Sequence, residues 1–142
     1  MKWATRSHLH VDRVACVWLI RRFIDPEAQF YFIDNGDEAP VGTIPFDMRG
    51  AELSHHNEDC TFETMLRWKN LSVPALWRMA EVVHEADLRD ERYDPPEAAG
   101  LDRIIRGMAL RMDDAILIEK ATPLLDGLYS WFEAETQTSD EN

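Results

Sequence analysis

Basic residues are scarce in this sequence: 15 lysines and arginines stand against 27 aspartates and glutamates, for a formal net charge of -12. Nucleic-acid binders need a basic stripe that releases counterions from phosphates, so the charge argues against nucleic-acid binding by this chain alone. Long apolar runs are missing as well. None approaches the roughly 20 residues that cross a bilayer, which argues against a membrane span, and residues 1–6 turn polar too early for a secretory leader. Cysteine is limited to Cys16 and Cys60, and the expectation is a cytoplasmic protein with reduced thiols. There is no glycine-rich phosphate loop, no Cys-x-x-Cys, no Gly-x-Ser-x-Gly and no His-Glu-x-x-His. Internal repeats, low-complexity tracts and dividing linkers are also absent from the sequence. What is present is ordinary globular composition. With 45% apolar and 30% charged residues in 142, the chain suffices for one domain with a sizeable core.

Residues 2–6 read as a strand. Val14, Ala15, Val17, Trp18, Leu19, Ile20 and Phe23 cover most of a helix circumference, so residues 13–24 form a buried helix, the spine of the core. Asp12 is a good N-cap for it, and Asp25-Pro26 a firm stop. Residues 29–33 are aromatic and β-branched and end at Asp34-Asn35-Gly36, which predicts a buried strand and a turn. A further short strand over 43–48 is confined to an edge, because Pro45 has no N–H to donate.

Four helices follow, over 61–69 with Thr61 as cap, 73–86 with Ser72 as cap and Pro74 in the first turn, 97–111 and 113–134. Leu101, Ile104, Ile105 and Met108 are expected to face inward. The last helix carries Ile116, Leu117, Leu124, Leu125, Leu128, Trp131 and Phe132, and Pro123 should kink or split it. The charged loop 89–96 is the expected hinge, and residues 136–142 the expected disordered acidic tail. The fold class is α+β: a mostly helical single domain over 1–135, with a small sheet from the N-terminal third packed on the 13–24 helix.

Chemistry-bearing side chains concentrate in residues 52–63, which hold two histidines, Cys60 and four carboxylates. If residues 52–56 are extended, Leu53 and His55 share one face and His56 the other. Leu53 belongs to the core, so His55 is the candidate for an internal site and His56 faces solvent. Glu63 opens a helix, where the macrodipole favours a carboxylate by roughly 0.3–1 kcal/mol. That position also points back towards the His55 loop, as a metal ligand would. His84 and Asp87 lie three residues apart on the apolar side of a helix, and each needs a partner if buried. They either pair with each other or turn together to a metal. With His55 and Glu63 they make a set of two imidazoles and two carboxylates suited to one transition metal ion, Zn, Mn or Fe. Cys60 reads as an inert buried thiol. Arg6 and Arg13, from an N-terminal group with Arg21 and Arg22, are candidate contacts for an anion or substrate.

Residues 2–6, the run from Asp12 to Pro26 with its Arg22-Phe23-Ile24-Asp25-Pro26 ending, Pro45-Phe46-Asp47, Glu52-Leu53-Ser54-His55 and Cys60-Thr61-Phe62-Glu63 resemble the chromate resistance domain found at the C-terminus of bacterial ChrB regulators. The resemblance continues through Val83-His84-Glu85-Ala86-Asp87-Leu88 and Pro96-Glu97-Ala98-Ala99-Gly100-Leu101 to Leu128-Tyr129. It implies a stand-alone domain with a role in the response to chromate or oxidative-metal stress, and an oxyanion such as chromate as partner. It supplies no catalytic residue list.

The leading expectation is therefore a cytosolic metal-binding domain of chromate-resistance type, with homo-oligomer formation a further option. A metal-dependent enzyme, oxidoreductase or hydrolase, would use the same site with one coordination position open. A metal-free interaction or sensor module would instead pair His84 with Asp87, far from His55.

Overall fold

The computed structural model describes the backbone of residues 1–141 and the side chains of residues 1–137. Strand β1 (Lys2–Arg6) leads to helix α1 (Val11–Leu19), whose last turn, Ile20–Ile24, widens into a π-helix. The widening is closed by the Asp25 N–H donating to the Ile20 carbonyl at 2.6 Å, five residues back. Strands β2 (Gln29–Ile33) and β3 (Ile44–Pro45) follow, and then helices α2 (Thr61–Trp68), α3 (Pro74–Leu88), α4 (Ala98–Ala109) and α5 (Asp114–Glu141). No described helix is long and apolar enough to cross a membrane.

The sheet is wholly parallel, in the order β2-β1-β3, with Lys2 opposite Gln29 and Trp3 opposite Ile44. Parallel neighbours cannot be joined by a tight turn, and α1 is the crossover between β1 and β2. As the central strand, β1 buries Trp3, Ala4 and Thr5 in succession, the continuous burial of a strand covered on both faces. Pro45 sits on the β3 edge as its missing N–H requires. β2 is the other edge and only half-buried, with Tyr31 exposed, so the fully buried strand expected there is corrected.

The spine reading of α1 holds. Val14, Ala15, Cys16, Val17, Trp18 and Leu19 are all buried, and α1 packs against each of the other four helices. Trp18, Phe23 and Tyr129 form an aromatic cluster between its end and α5, and Asp126 accepts from both Trp18 Nε1 and Arg22.

Several local expectations change. The cap positions of α2 and α3 belong to Cys60 and Val73, one residue away from Thr61 and Ser72 respectively. Pro123 lies inside α5 without splitting it. Ile104, expected inward, faces outward, as do Ile116, Leu124 and the 60% exposed Trp131 on α5, because α4 and α5 each pack on one side only. The expected tail continues α5 to Glu141, while the side chains of residues 138–142 and the backbone of Asn142 lie outside the described residues.

Phe62, Met65 and Leu66 bury the inner face of α2 completely. Phe62→Ala is expected to lower the unfolding free energy by about 3–5 kcal/mol, through lost transfer energy and the cavity left behind. Urea unfolding measures it, and an unchanged midpoint would contradict the packing.

Candidate metal centre

A helix begins with N–H groups that have no partner within it. In α2 those of Thr61 and Phe62 donate to the two carboxylate oxygens of Asp12, at 3.0 and 3.1 Å. Asp12 is therefore not the cap of its own helix, which has His10 at the N-cap position. It sits in the first turn of α1, 1% exposed, and caps α2 across the core. On the other side of the same helix end, Glu63 Oε1 accepts the Cys60 N–H at 3.0 Å.

Asp12 Oδ2 has a second neighbour beside the Thr61 N–H, His55 Nε2, at 3.1 Å. Asp87 Oδ2 lies 3.4 Å from the same nitrogen and Asp47 Oδ1 3.6 Å from it. Three carboxylates thus converge on one imidazole, brought by α1, the loop after β3 and the end of α3. Asp47 is fixed by Thr61 Oγ1, which donates at 2.7 Å, and by Arg13 Nε at 2.9 Å. Its backbone is left-handed, at φ 47°, a conformation aspartate tolerates better than most residues. The hydrogen bonds to Asp12 and then Asp87, with the nearby negative charge, raise the His55 pKa to about 10 against the lowering effect of partial burial. Burial and the Asp12 charge push Asp47 up to about 6, opposed by Thr61, Arg13 and His55. The group demands a positive charge at its centre.

The second group is drier. Glu63 and His84 are both fully buried, with His84 Nδ1 2.5 Å from Glu63 Oε1. His84 Nε2 faces Asp90 at 2.9 and 3.0 Å, and the Tyr93 hydroxyl donates to Glu63 Oε2 at 3.2 Å. Burial acts to lower the His84 pKa, and the bonds to Glu63 and Asp90 outweigh it, so the imidazole is shifted upward. Loop 89–96, expected as a hinge, is fastened over this group. Glu85 accepts the Glu91 and Tyr93 N–H groups, and Arg92 reaches Asp59, which also holds Arg67.

The four expected ligands are consequently divided. His55 meets Asp87, and His84 meets Glu63. Among the described residues, the possible ligand atoms lying within 4.8 Å of one another form the groups Asp12-His55-Asp87, Cys60-Glu63-His84 and His84-Glu85-Asp90, none of which contains all four. The cause is helical. Three residues advance the α3 surface by about 300°, which leaves His84 and Asp87 about 60° apart around the axis and nearly a turn apart along it. Glu63 bends back to its own N-cap instead of towards His55. His56 faces solvent as expected, but so does His55, which strand parity put inside, because the stretch forms only isolated bridges and no strand. Arg13 stands at the first group, whereas Arg6 donates to the Asp34 and Asp37 carbonyls and braces the turn after β2. Asp12, Asp47, Asp90 and Tyr93 were not foreseen as site residues. Asp12 had a signal: a carboxylate on a helix apolar around most of its circumference must be buried, and a buried carboxylate needs donors.

The family described as the C-terminal domain of ChrB matches residues 3–132. This chain belongs to the ChrB C-terminal domain family. Protein ChrB of Cupriavidus metallidurans is 37% identical over 133 residues, which cover 92% of this chain and 40% of that protein. The chain therefore spans about two fifths of the length of this relative. No solved structure matches it. Both side-chain groups of this ChrB-type domain lie inside the matched span.

With a folded pKa near 10 and an unfolded one of about 6.5, His55 binds its proton more tightly in the native state. Its contribution to stability is complete below about pH 6.5 and is lost as pH rises towards 10. Ring NMR shifts of the metal-free protein are expected to report an imidazolium at pH 8, and deprotonation near pH 6.5 would contradict the carboxylate cage. Asp12→Ala strips two α2 N–H groups and His55 of their acceptor, and should cost about 3 kcal/mol in urea unfolding at pH 7.

Proposed function

We propose that this domain binds one divalent transition metal ion at Asp12, His55 and Asp87, with Asp47 alongside, and that it serves chromate resistance of the ChrB type through that site. The observation that carries the reading is the spacing of 3.1, 3.4 and 3.6 Å between one imidazole nitrogen and three carboxylates. Two ligand atoms each about 2.0–2.2 Å from a common ion stand roughly 2.9–3.6 Å apart in octahedral or tetrahedral geometry. An ion would take the place of the His55 proton and answer the same surplus of negative charge. Of Zn, Mn and Fe, a set of one imidazole and several carboxylates suits Mn or Fe best.

Family membership supports the chromate-resistance role, as a response to chromate or oxidative-metal stress. A chain of net charge -12 repels an oxyanion such as chromate. A bound divalent cation with the Arg13 guanidinium next to it would locally cancel that field, and the 44% exposure of the His55 side chain leaves the site open to solvent. Two unpaired, buried cysteines fit a cytosolic setting.

Metal analysis of untagged protein after reconstitution with Mn(II), Fe(II) or Zn(II) tests the reading. The expected result is about one equivalent of Mn or Fe, lost in His55→Ala and Asp87→Asn and retained in His84→Ala. Wild-type protein that stays metal-free with all three ions would sink it.

A further inference from the structure

Cys60, Glu63 and His84 are left without a role by that reading. All three are fully buried, come from the end of a loop, the first turn of α2 and the last turns of α3, and bring one sulfur, one oxygen and one nitrogen within 4.8 Å of one another. We propose that Cys60 Sγ, Glu63 Oε1 and His84 Nδ1 hold a second divalent ion, of the zinc class, at a site separate from the carboxylate cage around His55.

The donor set selects the metal. Thiolate and imidazole favour zinc-class ions, whereas the oxygen-rich first group favours Mn or Fe. Three protein ligands also leave a fourth tetrahedral position for water or another small ligand.

Binding would open the contact between His84 Nδ1 and Glu63 Oε1, 2.5 Å without metal, to the roughly 2.9–3.6 Å that two ligands of one ion require. The surroundings of the three ligands suit such a site. A metal-bound histidine almost always donates its other ring N–H to a carboxylate or carbonyl, which fixes the tautomer and raises ligand basicity. His84 Nε2 has Asp90 at 2.9 Å for that purpose, which leaves Nδ1 directed at Glu63 and Cys60. Tyr93 donates to the Glu63 oxygen that would not face the ion. Cys60 occupies the N-cap of α2 in a capping box with Glu63 at N3, and burial with the Asp12 and Glu63 charges pushes its thiol up, so that it is neutral until an ion displaces the proton.

Charge balance removes the usual objection to burying an ion. Without metal the group holds a neutral thiol, the Glu63 and Asp90 carboxylates and an imidazolium. Binding forms bonds to sulfur, oxygen and nitrogen and releases two protons, one from Cys60 Sγ and one from His84 Nδ1. Two positive charges leave and two arrive, so the net buried charge is unchanged and no oxidation or reduction occurs. A hydrogen-bonded staple between α2 and α3 with no metal is the competing account of the same contacts.

Cobalt(II) and zinc(II) added to the full, untagged chain separate the two. One equivalent of cobalt should produce a near-ultraviolet thiolate-to-cobalt charge-transfer band, bleached by zinc, absent in Cys60→Ser and unchanged in His55→Ala. Asp90→Asn, at an exposed position, should keep the band and weaken cobalt binding about 10–100-fold, the loss expected for an orienting carboxylate. Should Cys60→Ser misfold, X-ray absorption of the wild-type zinc complex decides, with one sulfur scatterer expected at about 2.3 Å. An oxygen and nitrogen shell alone, no thiolate band in wild type, or a band that survives Cys60→Ser would overturn the proposal. The failure of this site and of the first are distinguishable, because manganese retention reads the His55 group and the cobalt–sulfur band reads Cys60.

Discussion

The capping of α2 by Asp12 is the contact on which the remaining architecture depends. Two backbone N–H groups in the dry core must be satisfied, and a single carboxylate from α1 accepts both. That carboxylate is itself a buried charge, tolerable because it meets the helix dipole and His55 together. The contact fixes the distance between α1 and α2, and with it the position of everything the α2 end carries. Thr61 then anchors Asp47, and Glu63 anchors His84. The two polar groups are built outward from one helix terminus.

Such a concentration of acid is unfavourable in a chain already at net charge -12. Burial and the Asp12 charge hold the Asp47 proton to about pH 6, and hydrogen bonds to Asp12 and Asp87 hold that of His55 to about pH 10. A fold stabilised for its own sake would place apolar side chains there, since replacing a buried ionic group by packed hydrophobic residues is often neutral or stabilising. Three carboxylates around a half-exposed histidine are the feature on which the proposed cation site rests. The Glu63–His84 group differs in kind. It is sealed, fully hydrogen-bonded and covered by loop 89–96, so it can bind α2 to α3 in the absence of any ion.

The elements of this fold were legible because each is announced locally. Helical periodicity and Asp25-Pro26 bounded the first helix, Pro74 opened α3, and the missing N–H of Pro45 put β3 at an edge. Facing was less legible. Ile104, Leu124 and Trp131 are apolar and outward, and nothing in a hydrophobic pattern says which of two apolar stripes meets the core. The site was half legible for a related reason. Residue type and spacing singled out His55, Glu63, His84 and Asp87, and the structure pairs them two by two. Which pairs form depends on crossings between α1, α2 and α3, and Asp12 and Asp47 join only through those crossings.

Adjacency at the α2 terminus has a consequence for how the two groups behave together. Cys60 and Thr61 are consecutive, one facing Glu63 and His84, the other Asp47 and Asp12. Any shift of that backbone by a few tenths of an ångström alters the distances in both groups at once, because close-packed interiors transmit displacement instead of absorbing it. α3 closes the loop of contacts, carrying His84 on one side of the terminus and Asp87 on the other. Any coupling between the two groups would run through that terminus, where Asp12 holds Thr61 and Phe62 and Glu63 holds Cys60. Coupling of this kind requires that occupancy of one group differ in free energy between two settings of the α2 end. Two such settings would differ in how Asp12 and Glu63 share the neighbouring N–H groups of that end.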